Sequence, residues 1–264
     1  MKIAKEVQIA LNRLITNHFE AYIVGGAVRD HLLKIKPSDY DITTNALPEE
    51  IMAVFKGYHL IDHGLKHGTV MVIINRKPIE ITTFRIDEGY LDHRHPTKVS
   101  FTSSLKADLS RRDFTINALA YYDKVIDYFA GIEDLNNKLI RAVGDPNIRF
   151  NEDALRILRA IRFSCQLNFD IEENTKIAIF KNKDLLTSIS VERIVAEVNK
   201  MLSTHVIRML PFYEVFKVFI NELDKKTFHN NIMNIKNCEM NLTVRLALFL
   251  NNIERFSLVL QRLK

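Results

Sequence analysis

The chain has 264 residues, of which 47% are hydrophobic and 26% are charged, so it is long enough to bury the cores of one or two domains. This balance excludes a disordered chain, and the net charge of +5 mildly favours an anionic partner such as nucleic acid. The two cysteines, Cys165 and Cys238, are far apart in the sequence, which argues against a zinc site and fits a reducing compartment.

The first segment, residues 1–19, is predicted to form an amphipathic helix. Its apolar residues at helical spacing are Val7, Leu11, Leu14 and Ile15. The segment has neither the continuous apolar core of a membrane span nor the cleavage site of a signal peptide. We therefore expect no membrane association and a cytoplasmic protein.

The rest of the chain divides into two kinds of pattern. Up to about residue 145, helical stretches such as "PEEIMAVF" alternate with the strand-like runs "AYIVG", "YDITT", "GTVMVII" and "IEITTFR". From residue 146 onward no convincing strand is found, and apolar residues recur at helical spacing in "NEDALRILRAIRF", "SVERIVAEVNKML", "PFYEVFKVFINEL" and "TVRLALFLNNIERF". The pattern predicts an α+β head followed by an all-helical part.

A glycine pair follows the first strand-like run. Gly25 and Gly26 allow the backbone to approach a ligand closely, and the next residues, "AVRDHLL", are predicted to form a helix. The N–H groups at the start of such a helix favour an anion, and Arg29 in its first turn adds a positive charge. This segment is typical of a phosphate site.

Two carboxylates come next, in the run "DYD". Side chains alternate along a strand, so Asp39 and Asp41 are expected to share a face. Like charges this close repel unless a cation lies between them, and Mg²⁺ prefers oxygen ligands. Glu80, in "PIEITTFR", is either solvent-facing or a third acid of the same site. Taken alone, the glycine pair could be an ordinary turn, and the two aspartates could lie on an exposed strand edge. The combination of the two motifs instead favours a site for a nucleoside triphosphate with its metal.

The segment "DLSRRDFTINALAY", residues 108–121, carries a second candidate site. Arg111, Arg112 and Asp113 precede an apolar run, and Asn117 follows. Arginines at such a junction suit phosphate or ribose contacts. A helix cap with an ion pair is the alternative.

A third candidate is the segment "NEDALRILRAIRF", residues 151–163. Arg156, Arg159 and Arg162 form a stripe bordering the predicted buried face, which consists of Ala154, Ile157, Leu158 and Ile161. Asp153 lies three residues before Arg156 and within its reach if both are on one helix. The alternative is a solvated amphipathic helix with one ion pair.

Together, "IVGGAVRD", "SDYDITTNALPEE", "GLKHGTVMV", "IEITTFR", "DHRHPTKVSFTSSLKADLSRRDFTINALAY" and "EDALRILRAIRF" closely resemble the class II tRNA nucleotidyltransferases, which include the CCA-adding enzymes. The resemblance covers roughly residues 20–200. It implies an α+β fold with a polymerase-β-like nucleotidyltransferase head and a small mixed sheet over residues 1–145. It also implies an all-helical neck with a template helix over 146–204 and a short or truncated body and tail over 205–264.

The resemblance also implies roles for individual residues. Asp39 and Asp41 would be the catalytic metal ligands, with Glu80 as the third catalytic acid. The residues implied in nucleotide binding are Gly25, Gly26, Arg29, Arg112, Asp113, Asn117, Glu152, Asp153, Arg156, Arg159 and Arg162. Within this set Gly26 and Arg29 would contact the triphosphate, and Arg159 and Arg162 would hold phosphates or support the pocket.

The implied activity is the addition of C, C and A to the 3′ end of tRNA from CTP and ATP, with Mg²⁺ and release of pyrophosphate. In this family the EDxxR segment replaces a nucleic-acid template, so Asp153 and Arg156 would read the base edge. A carboxylate accepts from the exocyclic amino group common to cytosine and adenine, which uracil and guanine lack at that position. The sequence predicts no oligomeric state.

Several alternatives stay open. Enzymes that add only CC lack much of the loop that is present here as "RIDEGYLDHRHPTKVSF", and poly(A) polymerases usually carry a basic "GRRF"-like run where this chain has "GLKHGTVMV". The order of preference is CCA addition, then CC or A addition, then poly(A) synthesis. An inactive RNA-binding homologue and a small-molecule nucleotidyltransferase rank lower. Relatives usually continue beyond the position of Lys264, which suggests either a truncated chain or a minimal protein.

Overall fold

The computed structural model describes residues 3–62, 64–90, 96–220, 222–238 and 241–252. The chain forms two compact units. The first comprises Met1–Gly89 and Pro96–Asn137, and the second comprises Tyr90–His95 and Lys138–Lys264. The domain boundaries expected at residues 145 and 204 stay predictions.

The part of the chain before residue 138 alternates strands and helices, as predicted. The strands are β1 Ala21–Val24, β2 Asp41–Thr44, β3 His59–Ile61, β4 Thr69–Ile74, β5 Lys77–Thr83, β6 Arg85–Tyr90, β7 Pro96–Phe101, β8 Leu119–Tyr121 and β9 Val125–Asp127. The helices are α1 Lys5–Thr16, α2 Gly26–Leu32, α3 Pro48–Val54, α4 Leu105–Ser110 and α5 Gly131–Asn136, with 3₁₀ turns at Leu65–His67 and Thr115–Asn117.

Most of these strands form one mixed sheet in the order β3-β4-β5-β2-β1-β8-β9. Strands β2 and β5 run parallel, whereas the other neighbouring pairs are antiparallel. Strands β6 and β7 form a separate two-stranded sheet. The small mixed sheet of an α+β head is therefore confirmed.

Local sequence explains the elements around this sheet. The predicted apolar stripe of α1 packs inward, with Val7, Leu11 and Leu14 buried, and burying each such side chain contributes about 1.5–3 kcal/mol. Helix α3 begins with Pro48, and the Glu50 side chain accepts a hydrogen bond from the Leu47 N–H at 2.7 Å. This bond satisfies one of the backbone donors that every helix start leaves open.

The part after residue 137 is almost entirely helical. Its helices are α6 Pro146–Glu152, α7 Leu155–Leu167, α8 Glu173–Asn182, α9 Val191–Leu202, α10 Tyr213–Phe216, α11 Lys225–Lys236 and α12 Leu242–Phe249, with 3₁₀ turns at Lys183–Ser188 and Val206–Phe212. Its core includes a cluster of Phe216, Phe228 and Phe249, whose ring centroids lie 5.3–6.3 Å apart. No helix in the described ranges is both long and apolar enough to cross a bilayer.

Three details differ from the sequence prediction. A two-residue strand, β11 Asp170–Ile171, pairs in parallel with β10 Leu139–Ile140, although no strand was expected after residue 146. The run from Pro211 gives only the short α10, which follows a 3₁₀ turn and ends at Phe216. The end of the predicted "TVRLALFLNNIERF" helix, from residue 253, lies outside the described residues.

Candidate functional site

The acids of the first unit meet through strand register. Asp41 opens β2 and lies directly opposite Glu80 in the parallel strand β5. On its other side Asp41 is paired with Val24, the last residue of β1. Asp39 precedes β2 and is not part of the strand, so the prediction that both aspartates lie in one strand was wrong. Two carboxylates that are far apart in the sequence are therefore neighbours beside the glycine pair.

Electrostatics at Asp41 show that these acids influence one another. Although Asp41 reaches the surface, the protein atoms around its carboxyl raise its pKa, and the negative charges of Glu80 and Asp39 add to this effect. The positive charge of Arg112 acts in the opposite direction. A cation placed among the acids would relieve this repulsion.

The donor set fits a hard divalent cation in its chemistry. In the described ranges, no group of three or more His, Cys, Asp or Glu side chains is arranged to hold a metal by itself. Mg²⁺, however, is usually held by one or two protein carboxylates together with water and substrate phosphates. Asp39 and Asp41, with Glu80 beside them, supply carboxylate oxygens of this kind.

The glycine pair lies against two arginines. Gly25 has φ of +72°, and a Cβ built on it would lie 3.2 Å from Nη1 of Arg112. A Cβ on Gly26 would lie 3.5 Å from Nη2 of Arg29. A side chain at either position would contact a guanidinium group. Because glycine has no side chain, both arginines lie directly next to the glycine backbone.

Asn117 links this surface to the second motif. Its Oδ1 accepts a hydrogen bond from Nη1 of Arg29 at 2.7 Å, and its Nδ2 donates to Oδ1 of Asp113 at 3.2 Å. The same Asp113 oxygen accepts from the Phe114 N–H at 2.8 Å. The structure thus brings together Gly25, Gly26, Arg29, Arg112, Asp113 and Asn117, the residues predicted for this part of the site.

Asp108 is a residue of this cluster that sequence reasoning missed. Its fully buried carboxylate accepts hydrogen bonds from Nε and Nη2 of Arg111 at 3.0 and 2.7 Å and from Nη2 of Arg112 at 3.3 Å. It also accepts from the Thr43 hydroxyl at 3.2 Å and from the Arg85 N–H at 3.3 Å. Asp108 lies three and four residues before the two arginines. This spacing brings side chains together on a helix and could have predicted the contact.

The charge state of Asp108 follows from these partners. Burial alone would raise its pKa, but Arg111 and Arg112, with the hydrogen bonds, lower it below the ordinary value. Asp108 is therefore a carboxylate at neutral pH. It fixes two arginines relative to strand β2, which also carries Asp41.

The third motif lies in the second unit and departs from the prediction. Residues 151–163 do not form one helix, because α6 ends at Glu152 and α7 begins at Leu155. Asp153 lies between the two with an extended backbone, φ −140° and ψ 102°. The assignment of Asp153 and Arg156 to a single helix was therefore wrong.

Asp153 is held by both of its oxygens. Oδ1 accepts a hydrogen bond from the Leu155 N–H at 3.1 Å, the kind of bond that caps a helix start. Oδ2 lies 3.5 Å from Nη2 of Arg193 in α9. The carboxylate is thus fixed at the beginning of α7.

The three arginines of the stripe occupy different environments. Nη1 of Arg156 forms an ion pair with Oε2 of Glu152 at 2.7 Å. Arg159 is half-buried, with its guanidinium carbon 5.5 Å from the centroid of the Phe163 ring. The prediction placed all three at the border of the buried face, but Arg162 lies within it.

Arg162 connects α7 to α9. Its side chain is 8% exposed, pairs with Glu197, and places its guanidinium carbon 3.8 Å from the centroid of the Phe163 ring. Of the two roles expected for Arg162, holding phosphates or supporting the pocket, this position favours support. Arg156, by contrast, remains near the helix start together with Glu152 and Asp153.

The segment predicted as a flexible loop, residues 85–101, is largely a two-stranded ribbon of β6 and β7. Residues 91–95, in its middle, lie outside the described residues. At its base, Nε of Arg85 lies 3.1 Å from Oδ1 of Asp87, and Nη1 of Arg111 lies 3.3 Å from Oδ2 of Asp87. The base of the ribbon is therefore tied to the arginine cluster.

Comparison with family models matches both units. Residues 21–141 match the poly A polymerase head domain, and residues 168–226 match a region described as a probable RNA and SrmB-binding site of polymerase A. The first match includes Gly25, Asp41, Glu80 and Arg112.

Individual relatives are also similar. A CCA-adding enzyme of Lactobacillus helveticus is 55% identical over 185 residues, which cover 69% of this chain and 46% of that enzyme. A CCA-adding enzyme of Streptococcus agalactiae is 45% identical over 239 residues, covering 90% of this chain and 56% of that enzyme. The chain thus spans about half the length of the curated relatives it matches.

Solved structures give the same result. The CCA-adding enzyme of Bacillus stearothermophilus in complex with CTP superposes with a TM-score of 0.72 at 42% identity, covering 80% of this chain and 51% of that one. The Thermotoga maritima CCA-adding enzyme complexed with tRNA superposes with a TM-score of 0.79 at 26% identity, covering 99% of this chain and 67% of that one.

Proposed function

Because this chain belongs to the tRNA nucleotidyltransferase and poly(A) polymerase family, we propose that it adds C, C and A to the 3′ end of tRNA, using CTP and ATP and releasing pyrophosphate. The observation that carries the proposal is the register of β2 and β5, which places Asp41 opposite Glu80 beside the glycine pair and Arg112. The named relatives, CCA-adding enzymes, support the choice of tRNA as the substrate.

The acids would serve the chemistry common to both nucleotides. Asp39 and Asp41 would hold Mg²⁺, with Glu80 as the third acid. When bound, the metal supplies a Lewis acid that activates the attacking hydroxyl and steadies the leaving pyrophosphate. Asp41 would bind the cation as a carboxylate, and the cation would offset the burial and the neighbouring acids that raise its pKa in the metal-free protein.

The arginine cluster would bind and orient the triphosphate. Arg29 and Arg112 lie against the glycine pair, where a phosphate can approach the backbone without meeting a side chain. Asn117 orients Arg29, and Asp108 holds Arg112, so neither guanidinium has to be ordered when the substrate arrives. Holding the reacting groups in place in this way accounts for much of the catalysis in phosphoryl transfer.

Base selection would depend on Asp153 and Arg156. A fixed carboxylate accepts a hydrogen bond from the exocyclic amino group of cytosine or adenine, and a guanidinium donates to ring nitrogen or carbonyl acceptors. Since Asp153 has both oxygens engaged within the protein, its orientation is set before a base binds. Arg162, which pairs with Glu197 in α9, would help to hold α7 in position.

Addition of only CC or only A, and poly(A) synthesis, are the competing activities. The presence of both strands of the ribbon, β6 and β7, favours the full CCA activity over CC addition, since the loop accompanies A addition in this family. The named relatives favour tRNA over a poly(A) tail.

The test uses tRNA transcripts that end before the CCA sequence, with Mg²⁺ and each labelled nucleoside triphosphate alone and in combination. We expect two C residues with CTP alone and one further A when ATP is added. Products ending at CC, a single A, a long A tract or no extension would each contradict the proposal.

Replacing Mg²⁺ with excess chelator should stop all incorporation, and incorporation that persists would contradict the metal assignment.

We also propose a cytoplasmic location, because tRNA and nucleoside triphosphates are cytoplasmic substrates. The two free thiols, Cys165 and Cys238, are consistent with a reducing compartment. Cell fractionation with an antibody against the chain tests this, and recovery in the membrane fraction would contradict it.

A further inference from the structure

Besides Arg156, a second arginine is close to the carboxylate assigned to base reading. Nη2 of Arg193, in the first turn of α9, lies 3.5 Å from Oδ2 of Asp153. Both residues belong to the second unit. Both side chains also reach the surface, since Arg193 is 27% exposed and Asp153 is 22% exposed. A hydrogen-bond donor and an acceptor therefore lie side by side where a ligand can approach them.

The hydrogen bonding of Arg193 is incomplete in the unliganded protein. A guanidinium has five N–H donors and no acceptor. Among the described residues, Nη1 of Arg193 is buried and has no hydrogen-bond partner. A buried donor without a partner is unfavourable, so a rotation of the guanidinium that turns its N–H groups toward an acceptor on a ligand is favoured. Arg193 thus has donor capacity left for a ligand next to Asp153.

The bases of the two proposed nucleotide substrates differ on one side of their amino group. In adenine, the exocyclic amino group lies between two ring acceptors, N1 and N7, whereas in cytosine it lies between the acceptor N3 and a C–H group. A carboxylate that accepts from the amino group, with one guanidinium beside it, matches both bases on the side they share. A second guanidinium beside the same carboxylate finds an acceptor only in adenine.

We propose that Arg193 donates a hydrogen bond to N7 of the adenine of ATP, next to the amino group that Asp153 accepts. The inference rests on the proposed function and adds a contact for one of its two nucleotides. Arg156 serves both nucleotides through the ring nitrogen on the shared side, and Arg193 serves only ATP. This gives a specificity-determining role to a residue outside the motifs singled out from the sequence.

The analogue 7-deaza-ATP, in which a C–H group replaces N7, tests the contact in the wild-type protein. Addition of one nucleotide to a tRNA that ends in CC is measured with ATP and with 7-deaza-ATP. Losing a hydrogen bond from a charged donor should lower kcat/KM by about tenfold or more. ATP should therefore be the better substrate by that factor. Equal use of the two nucleotides would overturn the proposal, and this comparison needs no variant.

A pair of variants assigns the effect to Arg193. Arg193→Met removes the donor and keeps a long, unbranched side chain. Arg141→Met is the matched control, because Nη1 of Arg141 lies 3.7 Å from Oε1 of Glu172 in the same unit and no nucleotide contact is assigned to it. In Arg193→Met, kcat/KM for ATP should fall by about tenfold and equal that for 7-deaza-ATP. The control should keep the wild-type preference, and thermal unfolding checks that both variants fold.

CTP distinguishes a contact with the base from mere support of Asp153. If Arg193 only held Asp153 in place, its replacement would lower kcat/KM for CTP and for ATP by the same factor, and the preference for ATP over 7-deaza-ATP would persist. We expect that preference to disappear, with a smaller loss for CTP than for ATP. A preference that is unchanged in folded Arg193→Met would overturn the proposal.

Binding measured without tRNA separates this contact from the proposed activity. Calorimetric titration with ATP and with 7-deaza-ATP, in the presence of Mg²⁺, gives the two dissociation constants. If the wild type binds ATP more tightly and Arg193→Met loses this difference, but no nucleotide is added to tRNA, the contact stands and the proposed activity fails. If the protein adds C, C and A but binds and uses the two nucleotides equally, the contact alone fails.

Discussion

Exchanging Asp153 for asparagine is the sharpest test of base reading. Asparagine has the same shape as aspartate and caps helices about equally well, so the hydrogen bond to the Leu155 N–H at 3.1 Å can persist. At the same time one acceptor oxygen becomes an NH₂ donor. The variant therefore changes the recognition chemistry while keeping the local structure.

The cost in stability is expected to be small. The exchange removes the ion pair with Arg193, whose groups lie 3.5 Å apart and are 22–27% exposed. Pairs of this kind are worth about 0–1 kcal/mol. Asp153→Ala would in addition lose the capping bond, at about 0.5–2 kcal/mol, and is the less selective variant.

The effect on specificity is expected to be large. A well-placed base contact gives about 1–3 kcal/mol of discrimination, which is roughly ten- to hundredfold. Asp153→Asn loses an acceptor for the amino group of cytosine and gains a donor for the carbonyl of uracil. The ratio of kcat/KM for CTP to that for UTP should therefore fall by at least about tenfold.

Asp145→Asn is the matched control. Asp145 caps α6 by accepting from the Asn147 N–H at 2.8 Å, and it has no assigned contact to a base. Steady-state incorporation into a tRNA primer, with thermal unfolding of each variant, provides the measurements. An unchanged CTP to UTP ratio in a folded, active Asp153→Asn enzyme would refute the base-reading role.

Four further predictions concern the first unit. Asp39→Ala or Asp41→Ala should abolish incorporation of both CTP and ATP while tRNA binding persists, and substantial residual incorporation would remove the metal assignment. In the metal-free protein, burial and the neighbouring acids raise the pKa of Asp41, so its carboxyl should titrate by NMR at a pH above the ordinary carboxyl pKa of about 4; titration at or below that value would contradict this. Asp108→Ala should lower the free energy of unfolding by about 3–5 kcal/mol in urea titrations, since it removes the buried carboxylate that pairs with both Arg111 and Arg112, and a loss below about 1 kcal/mol would contradict the buried network. Shortening the ribbon between Arg85 and Phe101 should spare C addition and impair addition of A, whereas equal loss of both would make the ribbon merely structural.

The sequence predicted the first unit well, because its signals are local. Alternation in β4 and helical spacing in α1 identify buried faces directly, and the glycine pair marks a place where the backbone must be open. The resemblance to a known family then gave a role to each acid and arginine. The proximity of Asp41 and Glu80, however, depends on the pairing of two strands, which no local pattern reports.

The errors in the second unit have a physical cause. Asp153 lies in a run with continuous helical spacing, but its side chain accepts the Leu155 N–H and so competes with the helix backbone. Arg162 was expected at a border because helical spacing places it beside the apolar face, but it is buried in a pair with Glu197, 35 residues later in the chain. The periodicity of one segment cannot predict such contacts between segments that are distant in the sequence.

The parallel register of β2 and β5 determines where this chain can tolerate changes in length. A one-residue insertion inside either strand would turn Asp41 or Glu80 to the opposite face of the sheet. An insertion in the connection between the strands leaves the pairing intact. Gly57 lies in that connection between α3 and β3, with φ of +93° and no atom within 4 Å of the position that a Cβ would take. A peptide tag or a small inserted domain placed there would keep the two carboxylates paired, whereas a single added residue next to either would separate them.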